Sequence, residues 1–299
     1  MELARRLRGI FPPLVTPFTS EGALDLAAFE ANLEAYQGTG VHGFLVLGSN
    51  GEAASLEESE KLALVRAARR KSGDRPLLAG VGLESTQATI ALARKAADAG
   101  ADAVLVLPPF YFRARMHDDV LRRHFEAVAD ASNVPVLLYS VPQVTGSSLS
   151  SGLVAALSRH PNVAGVKESS GDIALLGRLA AAAPDSFAAL CGSGPVIYPA
   201  LCVGARGGIL AVACCAPRPA AQLYEAAQAG DHPRARRLQE LLSPLAVAVT
   251  AGHGVPGLKA AMDLAGFHGG SPRAPLLPVT AAVRDELAGL LRGAAAEAA

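Results

Sequence analysis

The sequence predicts an α/β fold of one kind: a closed (β/α)8 TIM barrel with an appended C-terminal helical layer. Eight short apolar runs, at residues 9–18, 43–48, 76–82, 103–109, 134–140, 163–167, 187–192 and 207–212, alternate with longer stretches of helical periodicity. Within the runs hydrophobicity is mostly continuous rather than alternating, as in parallel strands covered on both faces. A doubly wound sheet is the alternative, and it lacks its dinucleotide fingerprint, G-x-G-x-x-G, after the first run.

The connecting elements follow in order. Helices are expected at 56–71, 86–99, 118–131 and 172–182, with Ser55 and Ser85 as N-caps and Gly73 and Gly100 as stops. More than 80 residues follow the eighth run, with helices expected at 218–229, 232–249, 257–264 and 279–298. This divides the chain into a barrel, residues 1–215, and a helical extension, residues 216–299, packed on it. No Ser/Gly-rich linker separates the two.

Composition narrows the function classes. Half the 299 residues are hydrophobic, 18% are charged and the net charge is zero. No basic run interleaved with aromatics offers a nucleic-acid surface, and no apolar stretch of about 18 residues offers a membrane span. The first eight residues are basic, hold Glu2 and lack the apolar core of a secretory signal, so the expected setting is cytoplasmic. Cys191, Cys202, Cys214 and Cys215 show no C-x-x-C spacing and read as buried free thiols. The seven histidines are scattered away from strand-end carboxylates, so no metal site is expected.

In such a barrel the chemistry belongs at the C-terminal ends of the strands. Only five lysines stand against 22 arginines, and Lys61, Lys71, Lys95 and Lys259 fall in helical segments. Lys167 alone closes an apolar strand, Val163-Ala164-Gly165-Val166-Lys167. Desolvation favours a neutral amine over an ammonium, and the neutral amine is the form that attacks a carbonyl. A lysine in this place also has a structural reading, pairing with a carboxylate across the barrel.

Tyr139 ends the preceding strand, where its phenol is placed to shuttle protons to and from that amine. Taken without Lys167 it reads as a core aromatic. Ser49-Asn50-Gly51 follows the second strand and suits either an anion, such as a keto-acid carboxylate, or simply a tight turn. Glu52 reads as a carboxylate fixing that loop rather than as a base. Gly192–Gly194 and residues 204–208 suit phosphate or close approach of backbone to a small substrate.

Four segments extend this reading: Pro13-Leu14-Val15-Thr16-Pro17-Phe18, Gly48-Ser49-Asn50-Gly51-Glu52, Tyr139-Ser140-Val141-Pro142 and Gly165-Val166-Lys167-Glu168-Ser169. In this order and spacing the chain resembles the dihydrodipicolinate synthase/N-acetylneuraminate lyase family of class I aldolases over nearly its whole length. Within that family it is most similar to the 4-hydroxy-2-oxoglutarate aldolases, which share Gly-Ser-Asn-Gly-Glu, Glu84-Ser85-Thr86-Gln87-Ala88-Thr89, Pro256-Gly257-Leu258-Lys259 and Arg273-Ala274-Pro275-Leu276.

The resemblance implies a Schiff base between Lys167 and pyruvate, a proton relay through Tyr139, and carboxylate binding by Ser49 and Asn50. It implies that Tyr111 reaches into a neighbouring subunit's site in a homotetramer, and that the Ile209 carbonyl lines the site. No cofactor is needed, because a protonated imine is itself the electron sink. The family's synthases carry an arginine two residues after the proline of their Tyr-Asn-Val-Pro motif; here that place holds Val144, which offers no fork to a carboxylate. Ser169, Ser170 and the Gly192–Gly194 backbone are the expected contacts to the aldehyde partner. The expected reaction is cleavage of 4-hydroxy-2-oxoglutarate to pyruvate and glyoxylate. Alternatives are dihydrodipicolinate synthesis, another 2-keto acid lyase or dehydratase, or a keto-acid-binding barrel without chemistry.

Overall fold

A computed structural model describes residues 2–295. Eight parallel strands form the barrel: β1 (Gly9–Phe11), β2 (Phe44–Val46), β3 (Leu77–Gly80), β4 (Ala103–Val106), β5 (Val136–Ser140), β6 (Val163–Glu168), β7 (Ala188–Cys191) and β8 (Gly207–Ile209). Neighbours in sequence are neighbours in space, and β1 pairs with β8. Closure between β1 and β2 comes from a parallel bridge, Pro13 to Leu45, with Leu14 N–H donating to Leu45 O at 2.8 Å. The first apolar run is longer than its strand because Pro12 and Pro13 have no N–H to give the ladder.

Two buried clusters follow from the alternation of side chains along each strand. Phe11, Leu45, Leu78, Leu105, Leu137, Tyr139, Leu190 and Ile209 fill the barrel interior. Ile10, Val46, Ala79, Val104, Val106, Leu138 and Val166 face outward and pack under the helices. Gly207 belongs to this close packing, since a Cβ there would meet the Gly9 backbone at 2.1 Å. Gly207 thus allows close contact between β8 and β1.

The helix predicted from residue 56 begins at Glu58. Ser55 is not its cap: Glu57 and Glu60 form a reciprocal capping box, with Glu57 N–H donating to Glu60 Oε2 at 2.9 Å. Ser85 does cap Thr86–Asp98, accepting from Ala88 N–H. After β8 the chain runs through Pro217–Gln228, which lies against β1, then His232–Val247, a π turn at Ala248–Gly252, Gly254–Leu264 and Ala281–Ala295. The last three residues of the helix expected to end at 298 lie outside the described residues. Cys191, Cys214 and Cys215 are buried free thiols, whereas Cys202 is exposed near the end of Ile197–Cys202. Among the described residues no helix is long and apolar enough to cross a membrane.

Candidate active site

Strand register brings Lys167 and Tyr139 together. β5 and β6 start in register at Val136 and Val163, but Leu137 pairs with Gly165, so one extra residue, Ala164, is accommodated on β6. Without that bulge Tyr139 would lie opposite Val166, and Lys167 would turn outward. With it, Tyr139 pairs with Lys167, and both side chains point into the barrel at its C-terminal mouth.

Both residues are buried, Lys167 to 4% exposure and Tyr139 to 5%. Lys167 Nζ donates to Tyr139 Oη at 3.1 Å and sits 4.2 Å from the centre of its ring. The lysine's partner is therefore a phenol, not a carboxylate across the barrel. The adjacent Glu168 points outward, paired in register with Ser140. Burial raises its carboxyl above the usual range, opposed by hydrogen bonds from Ser170.

The Ser49-Asn50 segment is a single 3-10 turn, Ser49–Gly51, beyond the end of β2. Amides at the start of such a turn have no carbonyl within it to bond, so those of Ser49 and Asn50 are free to meet an anion. Ser49 is exposed and Asn50 half-buried. Beneath the turn Thr16 Oγ1 donates to Gly51 O at 2.7 Å. Thr16 lies within the quoted Pro13–Phe18 segment, yet nothing in its local pattern announces this role.

Glu52 closes the turn in a left-handed conformation, φ 53° and ψ 36°. Its carboxylate is buried, accepting from Arg273 N–H at 2.9 Å and pairing with Lys259 Nζ at 2.5 Å. The loop-fixing reading of Glu52 is the one the geometry supports. Lys259 does not behave as an ordinary helical surface lysine: it is 1% exposed, and burial pulls it below its usual pKa against the opposing effect of Glu52.

Ser169 and Gly192 meet beyond the ends of β6 and β7. Gly192 N–H donates to Glu168 O at 2.6 Å, and Ser169 Oγ is enclosed without a hydrogen-bond partner among the described residues. A Cβ on Gly192 would fall 1.9 Å from that Oγ. Gly192→Ala is therefore expected to displace Ser169 and to cost about 1–3 kcal/mol of stability, read as a lower denaturation midpoint. Ile209 ends β8 with its side chain buried at 1% exposure.

Tyr111 is not brought to Lys167 within the chain. Its ring is 77% exposed, beside Phe112 at 67%, on a loop whose Phe110 and Tyr111 N–H groups donate to the Glu84 carboxylate. Val144 lies exposed on the short helix Pro142–Thr145. A cleft of about 540 Å3 opens at the opposite end of the barrel, between Arg8, His42, Lys71 and Arg75.

A buried lysine against a tyrosine, at the C-terminal mouth of a (β/α)8 barrel, defines the arrangement of a class I, Schiff-base aldolase. The chain belongs to the dihydrodipicolinate synthetase family, whose model matches residues 6–294, and with it to the pyruvate-dependent aldolases and lyases. It is 38% identical to a 4-hydroxy-tetrahydrodipicolinate synthase of Exiguobacterium sibiricum, over 90% of this chain and 92% of the relative. It is 39% identical to an uncharacterised DapA-like lyase of Halobacterium salinarum, over 90% of this chain and 88% of the relative. Among solved structures it resembles YagE of E. coli K12, a prophage protein of the dihydrodipicolinic acid synthase family in complex with pyruvate. That likeness has a TM-score of 0.89 and 30% identity, over 96% of this chain and 98% of YagE.

Proposed function

We propose that this enzyme reversibly cleaves 4-hydroxy-2-oxoglutarate to pyruvate and glyoxylate through a Schiff base on Lys167. The observation that carries the mechanism is the buried contact of 3.1 Å between Lys167 Nζ and Tyr139 Oη. Neutral Nζ adds to the C2 ketone. Tyr139 passes a proton to the departing hydroxyl, and loss of water leaves a protonated imine. Removal of the proton from the 4-hydroxyl then breaks the C3–C4 bond. Its electron pair flows into the iminium, giving an enamine and releasing glyoxylate. Protonation of the enamine at C3 and hydrolysis return pyruvate and the free lysine.

Ser49 and Asn50 hold the C1 carboxylate in this reading, next to the Ile209 carbonyl. Ser169 Oγ, without a hydrogen-bond partner among the described residues, and the Gly192 backbone meet the glyoxylate end. Tyr111 of the partner subunit completes the proton relay, which gives its exposed ring a function in a homotetramer. A cytoplasmic setting fits the four free cysteines.

Val144 separates this reading from the second, dihydrodipicolinate synthesis, which is favoured by the synthase names of relatives such as that of E. sibiricum. A valine cannot bind the carboxylate of aspartate semialdehyde through a bidentate fork. The test assays one preparation against 4-hydroxy-2-oxoglutarate and against pyruvate plus aspartate semialdehyde. Cleavage at least about tenfold faster in kcat/KM, about 1.4 kcal/mol, is expected. Condensation as the dominant activity would transfer the assignment to the synthase.

A further inference from the structure

Glu52 is a residue with a Cβ held in the left-handed region, immediately after the turn that presents Ser49 and Asn50. That conformation is sparsely populated and persists only where the surroundings enforce it. The enforcing groups come from the far end of the chain. Lys259, on Gly254–Leu264, pairs with Glu52 Oε1, donates to Ser271 O at 2.8 Å and lies 4.5 Å above the Phe18 ring. Its ammonium is thus met by a carboxylate, a carbonyl and a ring face. Such pairing is what a buried charge requires.

Arg273 supplies the rest of the clamp. Its backbone N–H donates to Glu52 Oε2, while its guanidinium reaches Ser55 O at 2.8 Å and Gly22 O at 2.8 Å. The same guanidinium forks onto Glu60 at 2.6 and 2.7 Å and covers the Phe18 ring. Arg273 therefore binds both ends of the segment between Glu52 and Glu60.

We propose that Lys259 and Arg273 are positioning residues, which set the enzyme's affinity for the keto-acid carboxylate by fixing the Ser49-Asn50 turn, Lys259 through the Glu52 carboxylate and the Arg273 guanidinium through Ser55 O and Glu60 on the segment that follows it. The inference rests on the reading that this turn binds that carboxylate. It gives the segment after β8 a functional duty: a helix and a loop remote in sequence determine the geometry of an anion-binding turn on β2. Neither residue touches substrate. Their loss loosens ground-state and transition-state binding alike, and so weakens binding more than it slows chemistry.

The test measures pyruvate affinity by calorimetry, and kcat at saturating substrate, for Lys259→Met, Arg273→Lys and Glu60→Gln. Ser49→Ala, Asn50→Ala and Asn50→Pro, the last of which removes a backbone amide of the turn, serve as reference variants, all assayed well below each variant's Tm. Lys259→Met is expected to weaken pyruvate binding by about tenfold or more while kcat falls by less than about threefold. Glu60→Gln removes half of the fork on Arg273 and is expected to weaken binding by about two- to threefold.

A lowered Tm with unchanged pyruvate affinity in all three clamp variants, while Ser49→Ala, Asn50→Ala or Asn50→Pro weakens binding, would overturn the proposal alone. Unchanged affinity in all three turn variants, Asn50→Pro included, would overturn the carboxylate reading and this proposal with it. Should Lys259→Met not fold, Arg273→Lys and Glu60→Gln decide: weaker binding supports the clamp, and unchanged binding in both rejects it.

Discussion

Lys167→Ala is expected to fold normally and to lose at least about 10^4-fold in kcat/KM, equivalent to about 5.5 kcal/mol of transition-state stabilisation. In the proposed mechanism this amine, the lysine amine at the mouth of the barrel among the described residues, forms the covalent imine with the substrate ketone. Without it the carbanion formed by C3–C4 cleavage has no electron sink. Lys167→Arg is expected to do no better, because a guanidinium remains protonated and is not a nucleophile. Steady-state pyruvate release measures both variants. Retention of more than a few per cent of wild-type turnover by either would remove Lys167 from the covalent step. The fold is expected to survive, because the side chain's recorded hydrogen bond is the single one to Tyr139.

Tyr139→Phe carries the second largest expected effect. The ring belongs to the interior cluster of Leu105, Leu137 and Leu190, and phenylalanine keeps that packing. Only the hydroxyl 3.1 Å from Nζ is lost. General acid–base catalysis by a positioned group contributes about 10^2- to 10^4-fold, so kcat is expected to fall by roughly 10^2 to 10^3. Pyruvate affinity is expected to change by less than about threefold, because the carboxylate contacts are elsewhere. Rapid-quench trapping with borohydride separates the steps: imine formation slows in the variant, yet the adduct still accumulates to the wild-type level. A Tyr139→Phe enzyme with unaltered kcat would leave the tyrosine as a packing residue.

The barrel was legible in the sequence because parallel strands covered on both faces leave continuous apolar runs. A lysine closing one of them is conspicuous where lysine is rare. The register was not legible. No residue in Val163-Ala164-Gly165 marks the bulge, although the bulge decides that Lys167 and not Val166 faces Tyr139. Capping was misplaced at Ser55 because a preference for serine is local, whereas Arg273 reaches across the fold to hold Ser55 O and Glu60.

Lys259 was the larger omission. It stands in Gly257-Leu258-Lys259-Ala260-Ala261-Met262, every residue of which is buried. A lone lysine in a wholly apolar stretch is the same signal that singled out Lys167. Its place on a helix rather than at a strand end sets it apart from Lys167 in the sequence, and long basic side chains on helices usually reach solvent. Its partner, Glu52, lies 207 positions earlier, a separation at which no spacing rule operates.

Two buried lysines make one measurement decisive. The enzyme is incubated with pyruvate, reduced with borohydride and digested, and the modified lysine is located by peptide mass spectrometry. A single adduct on the peptide carrying Lys167, absent from Lys167→Ala, is the predicted result. An adduct on Lys259, or no adduct at saturating pyruvate, would contradict the assignment of Lys167 as the Schiff-base nucleophile.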